Sequence, residues 1–241
     1  MPQVKLLTYN IHHGENIDGK YDLEAICGVL KASGAQIITL QEVDKNWSAR
    51  SLLQDQVKIL SNCLTYENTA FAASIQKDSN ALFGNALISK YKISESQVYH
   101  FYINDNPSLK YDGTTETEPR SLLVTQVEIG KSSIWVLVTH LSVHSQEQRL
   151  RQVNKIINVI EDLSGPLILM GDLNSNPASE ELERLGEVLA DLSNNKVLIT
   201  KPVEAKQIDY VLARGLKVEN VRVIKSDASD HYPVLAEITL G

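Results

Sequence analysis

The sequence predicts an α/β protein in which two β-sheets pack face to face and helices lie on the outside. Three observations lead to this fold class: short apolar runs recur along the chain, amphipathic helical segments separate some of them, and two runs form a hairpin pattern. The same pattern also fits a single mixed sheet, but the numbers of strands and helices favour two sheets.

Eight short apolar runs are typical of strands buried in a sheet. Their bounds are 4–9, 37–40, 86–89, 122–129, 134–139, 167–170, 208–213 and 234–239. The fourth and fifth runs are joined by the tetrapeptide GKSS, which predicts a β-hairpin.

Three segments have the pattern of amphipathic helices. The segments 23–33 and 146–163 space their apolar side chains three or four residues apart, and Gly165-Pro166 ends the second one. The segment 179–190 begins with Ser179 as a cap and has acidic residues in its first turn, which suit the helix dipole. We therefore predict a helix over each segment.

The composition is that of an ordinary globular protein, with 43% hydrophobic and 22% charged residues in 241. No repeat, low-complexity tract or Pro/Ser-rich linker divides the chain, so we expect a single domain over residues 1–241. The N-terminal residues lack a signal-peptide pattern, and no window has the length of a transmembrane helix. We expect a cytoplasmic protein, with a secreted mature form as the open alternative.

The two cysteines, Cys27 and Cys63, lie in segments with helical patterns and lack metal-ligand spacing. A chain of this length can bury enough surface to fold without a disulfide. We therefore expect both cysteines to be reduced thiols in or near the core, as is usual in a cytoplasmic protein.

The formal net charge is −7, from 23 Lys and Arg against 30 Asp and Glu. A nucleic-acid-binding protein usually carries a basic stripe, and no cluster of Lys and Arg is present here. The charge therefore argues against tight nucleic-acid binding. The negative charge does not exclude nucleic-acid binding, because a cation held by carboxylates inverts the local field.

Polar residues stand close to the ends of most predicted strands, where an ordinary turn would not require them. They are Asn10, Gln41-Glu42, His140, Asp172, Asn174, Asp209 and Asp230-His231. Each alone has an ordinary explanation as a turn former, a solvated carboxylate or a core histidine. Together they can converge on one rim of a sandwich, because strand ends on one edge are neighbours.

Convergent carboxylates repel one another unless a cation lies among them. Oxygen ligands without a Cys or His cage favour a hard ion, Mg²⁺ or Mn²⁺, over Zn²⁺. The histidines would then be free to contact negative charge that develops on a substrate. The residues themselves thus predict a metal-dependent site.

Six segments in this order resemble the signatures of the endonuclease/exonuclease/phosphatase superfamily. They are LLTYNIH (6–12), ITLQEVD (38–44), VTHLS (138–142), LMGDLNSNP (169–177), QIDYVLA (207–213) and SDHYPV (229–234). The resemblance covers nearly the whole chain. It implies a DNase I-like fold, a four-layer α/β/β/α sandwich of two mixed β-sheets flanked by helices, with one active site at the strand ends.

The resemblance also implies a metal site. Glu42 matches the principal Mg²⁺ ligand of the family, and Asn10 and Asp230 would contribute directly or through water. Mg²⁺ is the expected cofactor, with Mn²⁺ as the alternative ion. Such an ion neutralises charge on a phosphoryl group without proton transfer.

The catalytic roles follow from the same resemblance. Asp172 would orient or deprotonate the attacking water, with Asn174 as a phosphate contact beside it. His231 would bind a phosphoryl oxygen, with Asp209 as its orienting partner, and His140 would be a second histidine at the site.

Two further positions match a group of small bacterial hydrolases through the segments GNALISK and EPRSLL. In that pattern Asn85 and Arg120 would line the site and contact substrate. A guanidinium suits a phosphate oxygen. A rim salt bridge from Arg120 to Glu116 or Glu118 is the alternative.

The histidine pair after the first strand is a third candidate for substrate contact. His12, followed by His13, is close enough in sequence to Asn10 to reach substrate, and an exposed polar loop is the alternative. The polar segment 99–118 either sets substrate choice or is a solvated connection.

We therefore expect a metal-dependent hydrolase, a phosphodiesterase or phosphatase that acts on a small or medium-sized phosphoester. The histidine at position 140 separates the chain from the abasic-site nucleases of the family, and the sparse aromatic residues, 6%, do not suggest a single-strand stacking platform. The alternative is an endonuclease or exonuclease that acts on DNA or RNA. A non-catalytic binding module is less favoured, because the metal ligands and the general base are all present.

Overall fold

The computed structural model describes residues 3–106, 111–114, 116–193 and 196–240, and their strands form two six-stranded sheets. The first sheet contains β1 (Gln3–Asn10), β2 (Ile37–Lys45), β3 (Asn68–Gln76), β4 (Leu82–Ser89), β11 (Lys217–Val223) and β12 (Val234–Thr239), in the order β11-β12-β1-β2-β4-β3. The second contains β5 (Ile93–Phe101), β6 (Arg120–Ile129), β7 (Ser132–His140), β8 (Leu167–Asp172), β9 (Ala190–Asp191) and β10 (Asp209–Arg214), in the order β5-β6-β7-β8-β10-β9.

Four α-helices occur in the described ranges, and each begins at a side chain that caps its first turn. They are α1 (Leu23–Ser33), α2 (Gln56–Leu64), α3 (Gln146–Asp162) and α4 (Glu180–Gly186). Asp22, Asp55, Ser145 and Ser179 accept a hydrogen bond from a free backbone N–H of the helix that follows. None of the helices in these ranges is long and apolar enough to cross a membrane.

The core lies in three layers between the elements. Apolar side chains from the facing sides of both sheets, such as Leu6, Ile37, Val138 and Met170, fill the centre. A second cluster packs α1 and α2 against the outer face of the first sheet, and a third packs α3 and α4 against the second. The predicted four-layer α/β/β/α sandwich of mixed sheets is confirmed.

Each sheet contains one central parallel pair made by a strand–helix–strand unit. β1 and β2 pair in parallel across α1, and β7 and β8 pair in parallel across α3. Parallel neighbours end on the same edge of a sheet, so their carboxyl ends lie side by side. The predicted hairpin of β6 and β7 is confirmed, and it places the start of β6 beside the end of β7.

The elements that the sequence did not predict as strands are β3, β5, β9 and β11. Each is at or near a sheet edge, and β5 (ISESQVYHF) exposes most of its side chains, so it has no buried apolar run to indicate a strand. The predicted helix 179–190 ends earlier, at Gly186, and residues 190–191 form β9.

The expectation of reduced cysteines is wrong. Cys27 of α1 and Cys63 of α2 form a disulfide, with their Cα atoms 6.4 Å apart. The two helices pack side by side on one sheet, which brings together residues 36 positions apart in sequence. Because disulfides persist mainly in oxidising compartments, the cysteines no longer support a cytoplasmic location.

The segment 99–118 is in part regular structure. Its first three residues belong to β5, and a short 3-10 turn covers Ile103–Asp105. Residues 107–110 and 115 lie outside the described residues. Of the remainder, Tyr111 and Glu118 line the cavity described below.

Candidate active site

Sheet register brings three of the predicted polar residues together. His140 at the end of β7 pairs with Asp172 at the end of β8, and Asp172 pairs with Asp209 at the start of β10. Side chains paired in this way lie about 5 Å apart on one face. The rim of the second sheet thus carries three buried side chains in a row: the imidazole of His140, then the carboxylates of Asp172 and Asp209.

Gly171 allows β7 and β8 to approach closely just before Asp172. A Cβ atom added at this residue would lie 1.9 Å from the backbone oxygen of Thr139, and the residue has a φ of +151°. Only glycine meets both conditions without moving the backbone. Gly171, the first residue of the GDLN segment (171–174), therefore fixes the position of the Asp172 carboxylate.

Asp172 lies at the centre of the site. Its Oδ2 accepts a hydrogen bond from the Asn10 amide at 3.0 Å, and its Oδ1 accepts one from the Asn174 backbone N–H at 2.9 Å. The same Oδ2 lies 3.5 Å from His140 Nε2 and 3.7 Å from His231 Nε2. Burial, and then the negative charge of Asp209, raise the pKa of Asp172 to about 7.

His231 and Asp209 form a buried ion pair. Asp209 Oδ2 lies 2.9 Å from His231 Nδ1, and the two residues are 1% and 2% exposed. Burial alone would lower the pKa of His231, but the charge and hydrogen bond of Asp209 outweigh it and raise the pKa to about 10. His231 is therefore an imidazolium at neutral pH, with Nε2–H facing the site.

His140, in contrast to His231, is a neutral imidazole. Arg120 Nη1 lies 3.0 Å from His140 Nδ1, and a guanidinium can only donate, so Nδ1 accepts and the ring proton is on Nε2. Burial and the charge of Arg120 hold the pKa of His140 well below its usual range. Its Nε2–H faces Asp172 Oδ2 at 3.5 Å; the Asn174 amide nitrogen, 3.0 Å from Nε2, is itself a donor and does not accept this proton.

Arg120 is both a salt-bridge residue and a wall of the cavity. It is 3% exposed, and its Nη1 lies 2.9 Å from Glu118 Oε1, which is one of the two carboxylates expected as its partner. Burial raises the pKa of Glu118 despite this neighbouring cation. The Nε atom of Arg120 is buried and has no hydrogen-bond partner among the described residues.

Glu42 reaches the site through an irregularity in β2. The strand continues to Lys45 instead of ending near residue 40, and its register with β4 shifts between Leu40 and Val43. Glu42 has a φ of 56° in this bulge, which turns its carboxylate toward the rim. Bulges are common next to active sites because they redirect one side chain.

Asn10 connects the carboxylates of Glu42 and Asp172. Its amide nitrogen donates to Glu42 Oε1 at 2.9 Å as well as to Asp172, and its Oδ1 accepts from the His12 backbone N–H. Burial raises the pKa of Glu42, but the contacts with His13 and Asn10 outweigh burial and hold that pKa well below its usual range. Glu42 is therefore ionised beside Asp172.

Lys201 belongs to this site and was not predicted from the sequence. Its Nζ lies 3.2 Å from Asp230 Oδ2 and 3.3 Å from His231 Nε2. Burial alone would lower the pKa of Lys201, but Asp230 outweighs it and raises the pKa. Two cationic donors 3.3 Å apart are an arrangement that an anionic oxygen between them would stabilise.

These side chains surround one cavity of about 240 Å³. Asp172, Asn174, His140, His231 and Arg120 line it, which brings most of the predicted catalytic residues into contact with one space. Its other lining residues are His13, Glu42, Trp47, Arg50, Ile75, Phe83, Tyr111, Glu118, Val143 and Lys201.

Asn85 lies deeper than expected. It is 1% exposed, and its amide donates to the backbone oxygen of Ser121 at 3.0 Å, which joins the first sheet to the second beneath the site. The Ser121 hydroxyl, within 2.8 Å of Ser74 Oγ, extends this link. Asn85 therefore connects the two sheets, and it is not among the described residues that line the cavity.

The GDLN segment explains why a core strand ends in polar residues. Asp172 and Asn174 face the site, while Leu173 between them is buried in the core cluster around α3 and α4. Asn174 has a φ of 48°, which Asn tolerates better than most residues, and its amide also donates to Leu141 O. The segment thus alternates between side chains that face the site and one that packs in the core.

The donor set fits a divalent cation. Glu42, Asp172 and Asp209 are brought together with partly exposed Asp230, and Asp209 Oδ1 is buried without a hydrogen-bond partner among the described residues. Oxygen ligands of this kind suit Mg²⁺ or Mn²⁺. Among the residues that the structure describes, two sets of side chains have ligand atoms within 4.8 Å of one another: Asp172, Asp209 and His231, and His12, His13 and Glu15.

Comparison with known proteins agrees with this fold. The chain matches the model of the Endonuclease/Exonuclease/phosphatase family over residues 7–231, and it belongs to that family. It is 21% identical to a UPF0294 protein of Vibrio parahaemolyticus, over 99% of this chain and 79% of that protein. Its alignments with other UPF0294 proteins, such as that of Klebsiella pneumoniae at 29% identity, cover about half of each protein.

Three solved structures share the fold at low sequence identity. An endonuclease/exonuclease/phosphatase from Bacteroides vulgatus superposes with a TM-score of 0.82 at 19% identity, covering 100% of both chains. A mannosyl-6-phosphatase of Bacteroides thetaiotaomicron gives 0.74 at 15% identity over 98% of this chain and 100% of that one. D. rerio TDP2, complexed with single strand DNA product, gives 0.73 at 15% identity over 99% and 100%.

Proposed function

We propose that this protein is a metal-dependent hydrolase of phosphoesters, with water as the attacking group. The observation that carries the proposal is the surroundings of Asp172. One carboxylate lies within 3.7 Å of an imidazolium, a neutral imidazole and an amide, and that amide also holds a second carboxylate, Glu42. A site of this kind offers a base, oxyanion donors and a cation ligand to one phosphoryl group.

Asp172 acts as the general base in this proposal. A carboxyl group whose pKa is raised to about 7 by burial and by Asp209 is a better proton acceptor than an exposed one. The Asn174 N–H and the Asn10 amide fix its orientation, and Oδ2 takes a proton from water. Loss of such a base costs about 10²–10⁴-fold in rate.

The donors to the phosphoryl oxygens are His231, His140 and Lys201, with Asn174 beside them. His231 offers Nε2–H as an imidazolium that Asp209 holds in place. His140 offers Nε2–H as a neutral imidazole that Arg120 holds in its tautomer. Developing charge on the equatorial oxygens therefore meets donors that are already oriented.

Glu42 and Asp230 would hold the metal ion, with Asn10 contributing through water because its amide nitrogen faces the carboxylates. A bound Mg²⁺ or Mn²⁺ would neutralise charge that develops on the phosphoryl group. The residues of the chain supply everything else: the base, the donors and the walls of the cavity.

The cavity favours a small or medium-sized substrate. Its volume of about 240 Å³ is less than that of a typical drug-sized site, and Trp47, Phe83 and Tyr111 form part of its wall. The net charge of −7 also opposes docking of a long phosphate backbone. We also propose that residues 1–241 form a single domain that carries this site.

The fold alone does not choose the substrate, since TDP2 and the mannosyl-6-phosphatase share it. The test is a panel of a nitrophenyl phosphate monoester, the bis ester and supercoiled plasmid, each with Mg²⁺ and with EDTA. Metal-dependent turnover of either small ester that Asp172→Asn abolishes supports the proposal. Plasmid nicking that falls steeply with salt, without turnover of small esters, would replace it by a nuclease.

A further inference from the structure

One wall of the active-site cavity is apolar. Trp47, Ile75, Ala81 and Phe83 pack together, and Tyr111 packs against them. This apolar wall is separate from the three layers of the core, and all its members except Ala81 line the cavity. Sites for small molecules are typically lined by apolar and aromatic side chains beside a few polar groups. The cavity thus has the composition of a binding site for more than a phosphoryl group.

The aromatic rings of the apolar wall are held by contacts within the protein. The ring centroids of Trp47 and Phe83 lie 5.8 Å apart. The guanidinium of Arg50 lies 5.3 Å from the Phe83 centroid and 5.8 Å from that of Trp47, and Lys77 Nζ lies 3.7 Å from the Trp47 centroid. Contacts between cations and aromatic rings stabilise both partners. The apolar wall therefore exists without a bound ligand.

The guanidinium groups beside the apolar wall are paired with carboxylates. Arg50 donates two hydrogen bonds to Asp44, at 2.9 and 2.8 Å, and Asp44 is fully buried. Arg120 lies 2.9 Å from the carboxylate of Glu118. A bidentate or close ion pair of this kind neutralises both partners. Neither guanidinium therefore offers uncompensated positive charge to a second anionic group on the substrate.

The proposed phosphoryl site lies on the other side of the cavity. The apolar wall is built on β2, β4 and β3 and the connection after β2, at one edge of the first sheet, whereas His231 precedes β12 on the far side of β1. His231 and Lys201 lie 3.3 Å apart, an arrangement that suits an anion. A phosphoryl group bound there leaves the rest of the cavity, including the apolar wall, to the group that it esterifies.

The segment 99–118 contributes to the apolar side of the cavity. Tyr111 and Glu118 both line it, so this segment is more than a solvated connection. His12, which the sequence suggests as a substrate contact, is not among the described residues that line the cavity. The side chains placed to contact a leaving group are therefore those of the apolar wall.

We infer that the substrate is a phosphoester whose leaving group carries an uncharged ring, and that Trp47, Phe83 and Tyr111 bind this ring. The inference rests on the proposed function, because it takes Asp172 and His231 as the phosphoryl site. Burial of an apolar ring face against aromatic side chains is favourable in itself. Through Tyr111, the segment 99–118 then sets substrate choice.

The test measures binding of the ring separately from turnover. The chain has two tryptophans, and Trp135 packs against the α3 side of the second sheet, where its Nε1 donates to Ser164 O at 3.1 Å. In Trp135→Phe, the remaining indole is Trp47, so tryptophan emission reports contact with the apolar wall. The probes are phenylphosphonate, methylphosphonate and para-carboxyphenylphosphonate, which cannot be hydrolysed as esters, each titrated in the presence of Mg²⁺.

We expect phenylphosphonate to bind about 10–100-fold more tightly than methylphosphonate, as for burial of a large apolar group, and to change the Trp47 emission. The carboxylated ring should bind more weakly than phenylphosphonate. Tyr111→Ala and Phe83→Leu should each reduce the preference for the phenyl group by about 2–10-fold, with methylphosphonate affinity retained.

Two control variants change aromatic residues that are not among the described residues lining the cavity. Tyr102→Ala, at an exposed tyrosine, matches Tyr111→Ala, and Phe71→Leu, at a phenylalanine packed against the α1 and α2 side of the first sheet, matches Phe83→Leu. Both controls should keep the preference for the phenyl group. Unchanged circular dichroism and thermal denaturation show that the variants are folded. Since Tyr111 is only partly buried, its variant serves even where Phe83→Leu is unstable.

Four outcomes would overturn the inference, and they separate it from the proposed function. Equal affinity for phenylphosphonate and methylphosphonate, with metal-dependent turnover of small esters, would leave the proposed hydrolase intact. Tighter binding of the carboxylated ring would show an anion site beside the apolar wall. A preference for the phenyl group that survives Tyr111→Ala and Phe83→Leu would place the ring elsewhere. Ring binding at Trp47 without turnover of any ester would contradict the proposed hydrolysis and, with it, the ring as a leaving group.

Discussion

The ion pair between His231 and Asp209 should make stability depend on pH in a defined way. A pKa of about 10 for His231 against 6.5 for an ordinary histidine corresponds to about 5 kcal/mol in favour of the folded state when the imidazole is protonated. The pair is 1–2% exposed, so solvent screening does not reduce this figure much. Asp209 is the largest of the groups that raise the pKa, and Asp172 and Asp230 supply the rest.

The perturbation is Asp209→Asn, which keeps the shape and a hydrogen-bond acceptor but removes the charge. We expect it to lower the free energy of unfolding by about 3–5 kcal/mol, the usual cost of breaking a buried pair. Because the folded-state pKa of His231 is raised, its contribution is fully present below pH 6.5 and is lost as the pH rises through about 10. The difference between the two proteins should therefore be largest near pH 5–6.5 and shrink toward pH 10.

The assay is urea denaturation of both proteins at several pH values between 5 and 10, with metal removed. NMR titration of the His231 ring gives the pKa directly, and the variant should move it toward 6.5. Asp18→Asn, which removes the charge of an exposed aspartate, is the control for net charge. A stability difference that does not change with pH, or a wild-type His231 that titrates near 6.5, would refute the reasoning.

Three further predictions concern other parts of the structure. Gly171→Ala places a Cβ atom 1.9 Å from the Thr139 oxygen, so urea denaturation should show a loss of about 1–3 kcal/mol or more, and an unchanged midpoint would contradict the strand contact. Reduction of the Cys27–Cys63 disulfide, which spans 36 positions, should cost about 3–4 kcal/mol; thermal denaturation with and without reductant checks this, and equal midpoints would count against the bond. Glu42→Gln should weaken Mg²⁺ binding by at least about 10-fold in a calorimetric titration, whereas wild-type affinity would remove Glu42 from the metal site.

Much of the fold could be predicted from the sequence because buried strands and amphipathic helices carry strong patterns. Helix α1 lies at the predicted bounds 23–33, and the β6–β7 hairpin follows from its turn. Edge strands such as β5 carry no such pattern, since most of their side chains face solvent. The disulfide could not be predicted, because it depends on how α1 and α2 pack and not on cysteine spacing.

The residues of the site also fall into two groups: those that the sequence indicated and those that only the fold brings into place. Asp172, Asp209 and His140 stand at strand ends, so the sequence indicated them before any register was known. Lys201 lies in the connection before β10, where nothing in the sequence distinguishes it from the other lysines, and only the fold brings it to His231. Glu42 was expected at the end of a strand, whereas a bulge within β2 directs it to the rim.

Hydrolysis of bis(4-nitrophenyl) phosphate by the wild-type protein and by Asp172→Asn, each with Mn²⁺, Mg²⁺ or EDTA, tests the central proposal most directly. We expect release of nitrophenolate by the wild type with either ion, none with EDTA, and a rate about 10²–10⁴-fold lower in the folded variant. The monoester is run in parallel, since the proposed function covers both classes of ester. Metal-bound, folded wild type that turns over neither ester, or a variant as fast as the wild type, would contradict Asp172 as the base of a phosphoester hydrolase.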